Sequence, residues 1–207
     1  MNYEAMLEFV KNRLSSSGAI KSNNPHHQFR DRYEHTRRVY NWAKLILSDF
    51  KGCNEKAALT AAIFHDVGYS MGKENHAINS AIIFEEYAKE NNLEPHLTKI
   101  VVDAISKHSN KSLVKDPKSS KELILLLEAD LLDEEGAIGI VWDLLSSGSK
   151  KIDSYYKALD EIYIHSGHIL EQDYMVTPIA KAYWEEKKRI VKHFIESFTF
   201  DLFLEEK

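Results

Sequence analysis

The sequence predicts an all-α protein, built as a single-domain helical bundle over residues 1–207. Three observations support this fold class. Only 4 prolines and 8 glycines interrupt the 207 residues, so long uninterrupted segments remain. Most of these segments repeat apolar residues at intervals of three or four, which is the period of an amphipathic helix. The alternation of apolar and polar residues that is typical of strands is nearly absent, and there is no internal repeat, low-complexity tract or linker.

Apolar stripes and helix-end signals define the helices of the first half of the chain. Asp31 is expected to cap the second helix, because its carboxylate can accept hydrogen bonds from the free N–H groups of the first turn. Gly68 is expected to end the third helix, because a glycine just past the last periodic residue is a common helix stop. The predicted helices cover residues 2–16, 31–50, 54–66, 76–91 and 95–108.

The second half of the chain is also helical, with one segment of weak pattern. Residues 121–147 are expected to form two helices, or one bent helix, joined near residues 135–136. The pattern is weak over residues 150–176. The last helix is expected to begin after Thr177, which would cap it, and to reach about residue 198.

Several aromatic and histidine side chains have expected structural positions. Trp142 and Trp184 are expected in the core. His165 and His168 are three residues apart, but Gly167 between them favours a turn at the surface.

The composition excludes several classes of protein. Hydrophobic residues make up 43% and charged residues 29% of the chain, and the net charge is −5 with scattered basic residues, which argues against binding to a nucleic-acid duplex. The only cysteine, Cys53, excludes a disulfide framework and a cysteine-rich zinc site. The first residues form a charged amphipathic pattern without the apolar region of a signal peptide, and no apolar run reaches membrane-spanning length. A cytoplasmic location without a membrane partner is therefore expected.

Polar side chains that can bind a metal ion lie on the apolar faces of four predicted helices. His35 shares its face with Val39 and Trp42, and Asp130 follows the apolar run of residues 123–127. A carboxylate is rarely buried without a partner, and helical bundles often build metal sites from inward side chains on facing helices. One shared ion therefore explains the coincidence better than five separate structural roles. The full set is His35, His65, Asp66, His108 and Asp130.

Part of this set resembles a known family. The order and rough spacing of four residues are similar to those of the HD superfamily of metal-dependent phosphohydrolases, which has an all-helical fold: His35, His65, Asp66 and Asp130. The text EHTRRVYNWA resembles the helix that supplies the first histidine of that family, and AAIFHDVGYS resembles its central motif.

The resemblance covers about residues 35–140. It implies an HD-type core at about residues 31–145, with C-terminal helices of residues 150–200 packed on it. The segment EADLLDEEGAIGI is similar to one in small stand-alone bacterial HD hydrolases, some of which act on nucleoside triphosphates.

The resemblance implies a metal centre. The metal ligands would be His35, His65, Asp66 and Asp130. Mixed nitrogen and oxygen ligands suit one or two divalent ions of Mn, Fe, Co, Ni or Zn, with Mg less favoured by imidazole. Hydrolysis would proceed by attack of a metal-activated water on phosphorus, with Asp66 available to orient or deprotonate that water. His76 and His108 resemble the histidines that hold a second metal in some members, and phosphate-binding or structural roles remain open for them.

Developing negative charge on a phosphoryl group needs positive groups nearby. Candidates by proximity in sequence are Lys73 and Lys107 for catalysis, and Arg32 and Lys111 for substrate binding. Arg37 and Arg38 are expected at the surface of the second helix.

Two residues depart from the pattern of related HD proteins. Tyr69 stands where many relatives have a lysine after the glycine that follows the HD pair. Leu131 stands where an arginine often follows the last aspartate. Both departures remove a positive charge near the expected site, so the substrate of any one relative cannot be assigned to this chain.

The expected function is therefore metal-dependent hydrolysis of a small phosphorylated substrate, with a nucleotide as the first candidate. Whether a phosphomonoester, a phosphodiester or an anhydride is cleaved is open, and a homodimer is one expected assembly. Two alternatives remain: a di-iron oxygenase of the HD type, which uses the six-ligand set, and a non-catalytic module that binds a metal or a nucleotide. Elemental analysis of the protein and an oxygen-dependence test distinguish them.

Overall fold

The structure is a computed structural model that describes residues 1–22, 24, 27–146 and 152–204. Within these residues the only extended pairing is an isolated bridge between Lys21 and Asp31, so the prediction of an all-α fold is confirmed. The α-helices are α1 Tyr3–Ser16, α2 Arg32–Leu47, α3 Glu55–Phe64, α4 His76–Glu90, α5 Pro95–Lys107, α6 Lys121–Glu134, α7 Ala137–Ser146, α8 Tyr155–Ile164 and α9 Pro178–Phe203. Short 3-10 helices cover Val67–Met71, Lys111–Lys115 and Ser166–Glu171.

Side-chain caps set the start of several helices. Asp31 accepts a hydrogen bond from the backbone N–H of Glu34 at 3.0 Å, and Thr177 accepts one from Ala180 at 3.4 Å. Both predicted caps are confirmed. Asn54 caps α3 in the same way. Each cap satisfies one of the N–H groups that the first turn leaves without a helical partner.

Helix α3 is the central helix of the fold. Every residue from Ala57 to Phe64 is buried, and the helix is packed among α2, α5 and α6. Because these residues are small or aliphatic over most of their length, neighbouring helices approach from all sides. The helix therefore carries the residues that follow Phe64 into the middle of the molecule.

Gly68 has a different role from the one predicted. It does not end α3 in a left-handed conformation; the α-helix ends at Phe64 and Gly68 lies inside the 3-10 helix Val67–Met71. A Cβ atom at this position would lie 2.0 Å from the carbonyl oxygen of His76 and 2.4 Å from the amide nitrogen of Ser80. The missing side chain thus allows the first turn of α4 to pack directly on the backbone next to His65 and Asp66.

The C-terminal helices are tied to α6. The buried carboxylate of Glu128 accepts hydrogen bonds from Val176 N and from both the amide and the hydroxyl of Thr177, the latter at 2.8 and 2.7 Å. Trp184 on α9 is fully buried, as predicted. Trp142 is only partly buried and borders a surface cavity, so its prediction as a core residue is wrong.

None of the described helices combines the length and the low polarity that a membrane-spanning segment needs.

Candidate metal centre

Four side chains from three helical segments converge at the centre of the fold. We call them the His/Asp cluster: His35, His65, Asp66 and Asp130. The two imidazole Nε2 atoms lie 3.2 Å apart, and His35 Nε2 lies 3.2 Å from Asp130 Oδ1 and 3.7 Å from Asp66 Oδ2. No member of the cluster is more than 4% exposed. The apolar faces of α2, α3 and α6 therefore bring together the residues that share those faces.

Hydrogen bonds orient the histidine rings toward the cluster. Carboxylates and carbonyls only accept, so each Nδ1 is the donor: His35 to Asp133 at 2.7 Å, His65 to the carbonyl of Ala62 at 2.9 Å. Both rings thereby present Nε2 to the interior. This tautomer, fixed by a bond on the far nitrogen, is the usual arrangement of a metal-ligating histidine.

Asp133 was not predicted as part of the site. Its carboxylate is buried and accepts from His35 on one side and from Arg38 Nε and Nη2 on the other, at 2.7 and 3.0 Å. Arg38 was expected at the surface of α2; 43% of its side chain is exposed, and its guanidinium also reaches across to α6. Arg37 does pair with Glu34 at the surface, as expected. The spacing of Asp133, one turn after Asp130, was the signal in the sequence.

The cluster strongly perturbs the protonation of its members. Burial by itself would lower the pKa of His35, but the carboxylates of Asp130 and Asp133 outweigh it and raise the pKa to about 10. Burial lowers the pKa of His65 to about 4. Burial would raise the pKa of Asp66, but His65 and the other neighbouring histidines hold it well below its usual range. The cluster thus stabilises one positive charge among its carboxylates.

The donor set fits a divalent metal ion. Asp130 Oδ1 is buried and makes no hydrogen bond, although it faces the histidine nitrogens. A metal ion could take the place of the positive charge that His35 carries: in the neutral rings with Nδ1 protonated, the Nε2 lone pairs of His35 and His65 face each other over 3.2 Å. A cation between these atoms would satisfy all of them, and mixed imidazole and carboxylate ligands suit a transition ion.

His76 and His108 extend the cluster on one side of Asp66. Their Nε2 atoms lie 3.6 and 3.4 Å from Asp66 Oδ1, while Asp66 Oδ2 faces His35. His108 donates from Nδ1 to the carbonyl of Ile105 at 2.7 Å and so presents Nε2 to the cluster. Asp66 therefore stands between two groups of candidate ligands.

Comparisons with known proteins identify the family. A scan against protein-family models matches the HD domain over residues 32–135, which is half of the chain. The chain belongs to the HD domain family. The resemblance predicted from the sequence is thereby confirmed. A search of curated proteins finds no match.

Solved structures of similar fold agree with this assignment. An HD-superfamily hydrolase from Bacillus thuringiensis is 25% identical, with a TM-score of 0.70 over 96% of this chain and 95% of that chain. A protein from Listeria innocua is 23% identical over the whole of both chains, with a TM-score of 0.67. YpgQ from Bacillus subtilis, solved in complex with ADP, is 19% identical over 96% of each chain, with a TM-score of 0.59. The similarity therefore extends beyond the HD domain to the C-terminal helices.

The basic residues that were predicted for the site differ in whether they reach the His/Asp cluster. Lys111 reaches the cluster and donates from Nζ to Asp130 Oδ2. Lys107 does not: its Nζ pairs with Asp103 at 2.5 Å on the outer face of α5, and about half of each side chain is exposed. A catalytic role for Lys107 thus has no support in this geometry. Lys73 is exposed and contacts the HD site through its backbone, which hydrogen-bonds His76.

Tyr69, which stands where the resemblance predicts a lysine, contacts His76 and Arg32 through its ring. Its ring lies on that of His76 with centroids 4.4 Å apart and 17° between the planes. The guanidinium of Arg32 lies over the same ring, 4.2 Å from its centroid. Arg32 also donates from Nη1 to the carbonyls of Ala19 and Lys21 at 2.6 and 2.9 Å. Arg32 therefore positions Tyr69, and two of its five N–H donors are used by backbone carbonyls.

A cavity of about 840 Å³ borders the HD site. His35 and Asp133 of the HD domain line it together with Trp142 on α7. Arg30 also lines it, with its guanidinium 4.9 Å from the Trp142 ring centroid and 3.2 Å from Glu134 Oε1. Neither Arg30 nor Glu134 was predicted, because both lie at helix boundaries where no apolar periodicity marks them.

Proposed function

We propose that the chain is a metal-dependent phosphohydrolase that acts on a nucleotide or another small phosphorylated metabolite. The observation that carries this proposal is the convergence of the His/Asp cluster around Asp130 Oδ1, a buried oxygen without a hydrogen-bond partner. The HD domain family supplies the reaction class. The family model matches residues 32–135, and an HD-superfamily hydrolase of 25% identity matches 96% of this chain.

Four residues would hold the first ion: His35, His65, Asp66 and Asp130. A divalent transition ion bound there would act as a Lewis acid on phosphorus and lower the pKa of a water molecule. His76 and His108 would hold a second ion with Asp66 between the two, or contact the phosphate if one ion binds. Mn, Fe, Co, Ni and Zn all suit these ligands.

The remaining steps fall to the chain's own side chains. Asp66 offers an oxygen on each side of its carboxyl group, so it can orient a water molecule and accept its proton. Lys111 can move from Asp130 to a phosphoryl oxygen, because about a third of its side chain is exposed. Arg30 and Arg38 add two guanidinium groups to the lining of the cavity, where the N–H groups that Glu134 and Asp133 leave free can donate to an anionic substrate.

A nucleotide is the substrate class that we favour. YpgQ, which shares the fold, is solved in complex with ADP. The cavity beside the cluster is also larger than a phosphate group requires. Both observations support a substrate that carries a phosphate and a sizeable organic part.

A second candidate is a di-iron oxygenase. It is favoured by one observation: four imidazole groups and the Asp130 carboxylate lie around Asp66, and together with Asp66 they make up the six-ligand set that the HD-type di-iron oxygenases use. Iron in the purified protein together with a product that forms only in the presence of oxygen would establish this candidate and exclude the first.

The test begins with protein purified without added metal. Its metal content is measured by elemental analysis, and release of phosphate and of pyrophosphate is followed for a panel of nucleotides and sugar phosphates. The product then identifies the bond that is cleaved. No release from any compound with any of the five metals would refute the proposal.

Asp66→Ala is expected to abolish hydrolysis and to weaken metal binding, because it removes the ligand shared by both groups of histidines. Its helical content, measured by circular dichroism, should stay close to that of the wild type. Asp103→Ala is the matched control, since about half of that aspartate's side chain is exposed on α5, where it pairs with Lys107. Full activity of purified Asp66→Ala would show that the active centre lies elsewhere.

A further inference from the structure

The cavity beside the His/Asp cluster is built by two different parts of the chain. One wall belongs to the HD domain and includes His35 and Asp133. The other wall comes from α7 and from the junction of α8 with the 3-10 helix Ser166–Glu171, beyond residues 32–135. The part of the chain outside the HD domain therefore decides what fits next to the catalytic ligands.

Aromatic and aliphatic side chains line the far wall of this cavity. The rings of Trp142 and Phe29 lie edge to face with centroids 5.1 Å apart, and Arg30 lies over Trp142. Ile138 and Val141 also line the cavity and are 42% and 54% exposed. Exposed apolar side chains gathered in a concave site mark a place where an apolar or aromatic group binds.

Part of the lining of the cavity is polar. Asp143 and Ser166 are buried there and share a hydrogen bond of 2.5 Å from the hydroxyl to the carboxylate. Glu135 and His168 lie beside them, 3.4 Å apart. A cavity lined by both aromatic rings and hydrogen-bonding groups suits a heterocyclic base, because a base offers both a flat ring and a polar edge.

Two guanidinium groups stand between the cavity and the cluster. Arg38 is bound to Asp133, which in turn holds His35, and Arg30 is paired with Glu134. Both arginines line the cavity. A ligand that enters from the aromatic end would therefore present a negatively charged end to two arginines and then to the cluster.

We infer that this cavity binds the nucleoside part of a nucleotide, with the base against Trp142 and Phe29 and the phosphates directed past Arg38 toward His35. The inference deepens the proposed function and rests on it for the phosphate end. It adds that α7 and the α8 junction, rather than the metal ligands, recognise the substrate.

The test uses uncharged nucleosides, so that electrostatic attraction to the metal centre plays no part. Adenosine, guanosine, cytidine and uridine are titrated against the full-length protein by calorimetry at millimolar concentration. At least one of them is expected to bind. Ile138→Glu is expected to weaken that binding at least tenfold, because it places a charge in the apolar wall. Leu145→Glu is the matched control, since Leu145 is equally exposed on α7 but does not line the cavity.

Trp142→Leu provides an independent test of stacking and is also expected to weaken nucleoside binding at least tenfold. Metal content is measured for all variants and should be unchanged, which excludes a general loss of structure. Trp42→Phe is its control, because Trp42 packs on Tyr183 at a different surface.

The outcomes separate this inference from the proposed function. Wild-type protein that binds none of the four nucleosides, or that binds them as tightly after Ile138→Glu and Trp142→Leu, would overturn the inference even if phosphate is released from other compounds. Nucleoside binding that depends on these residues would support the inference even if no phosphorylated compound is hydrolysed, in which case only the proposed function fails.

Discussion

At the scale of single residues, the direction of His35 depends on Asp133. The carboxylate receives the Nδ1 proton of His35 and is itself held by two bonds from Arg38, so the ring cannot turn its Nε2 away from the cluster. Asp133→Ala is expected to weaken metal binding about 10–100-fold, the usual effect of removing the partner of a ligating histidine. Asp133→Asn should lose less, because an amide oxygen can still accept the Nδ1 proton.

Metal titration with a competing chelator measures both variants of Asp133. Asp103→Ala, on the exposed face of α5, serves as the control and should bind metal like the wild type. Equal metal affinity for Asp133→Ala and the wild type would show that Asp133 does not orient the histidine.

A second residue-scale prediction concerns pH. Burial raises the pKa of the Glu135 carboxyl from 4.5 to about 7, with Glu134 adding to the effect and His168 opposing it. The folded state therefore holds a proton between these two pH values that the unfolded state has lost. Stability is lost as the pH rises from about 4.5 to about 7, by about 2–3 kcal/mol in total.

Glu135→Gln removes this ionisation. The free energy of unfolding of the variant, relative to the wild type, is expected to increase by that amount between pH 4.5 and pH 8. Urea titrations at several pH values measure it, with the exposed Glu90→Gln as the control. A constant difference across the range would contradict the prediction.

The sequence predicts the ligands of the site better than their partners. His35, His65, Asp66 and Asp130 are visible because polar residues on apolar faces are uncommon, and folding brings those faces together. Arg38 and Asp133 are 95 residues apart, so no local pattern predicts that they pair, although the spacing of Asp133 from Asp130 marks its face of α6. Lys107 was chosen by its distance along the chain, which does not give distance in space, and its side chain pairs with Asp103 instead of reaching the cluster.

At the scale of elements, Gly68 controls how closely α4 approaches the metal centre. Gly68→Ala would place a methyl group 2.0 Å from the backbone oxygen of His76 and 2.4 Å from Ser80 N. Backbone atoms cannot move aside as a flexible side chain can, so α4 must shift outward. We expect a loss of stability of roughly 1–3 kcal/mol, typical of overpacking, together with weaker metal binding as His76 moves away from Asp66.

Thermal unfolding and metal titration measure the two effects of Gly68→Ala. Gly167→Ala is the control, because a methyl group there meets its nearest neighbour, the carbonyl oxygen of Ile162, at an ordinary 3.4 Å. If both variants unfold at the same temperature, α4 is not held against residue 68.

Helix positions follow from periodicity more closely than helix ends do. The predicted helices at residues 54–66 and 76–91 correspond to α3 Glu55–Phe64 and α4 His76–Glu90. The end of α3 differs because a glycine signals two different needs, a left-handed turn or a close approach of backbones. The sequence does not show which helix packs on Gly68. Only the folded chain therefore distinguishes a left-handed turn from a close approach of backbones.

At the scale of the whole molecule, α6 joins the metal centre to the C-terminal helices. Asp130 and Asp133 on α6 face the cluster, and Glu128 on the same helix binds the start of α9 through Thr177. Helix α7 then follows α6 directly and forms the far wall of the cavity. A single helix therefore sets the distance between the His/Asp cluster and the proposed nucleoside site.

An ion bound at the His/Asp cluster, as proposed, would link α2, α6 and the segment that follows α3. An ion that binds only the native state stabilises it by about 2.7 kcal/mol when its free concentration is a hundred times its Kd. The Tm of a chain of this length changes by about 2–4 °C for each kcal/mol of stability. A chelator is therefore expected to lower the Tm of metal-loaded protein by about 5–10 °C. The helical circular dichroism below the transition should be unchanged, because the buried residues of α3 pack without the ion.

His35→Ala tests whether this shift arises at the cluster. The variant should unfold at the same temperature with and without the chelator, because the ion has lost one of its four proposed ligands. His193→Ala, an exposed histidine on α9, should keep the full shift of the wild type. A chelator effect of equal size in His35→Ala and the wild type would place the stabilising ion outside the cluster, and the metal centre described above would then be wrong.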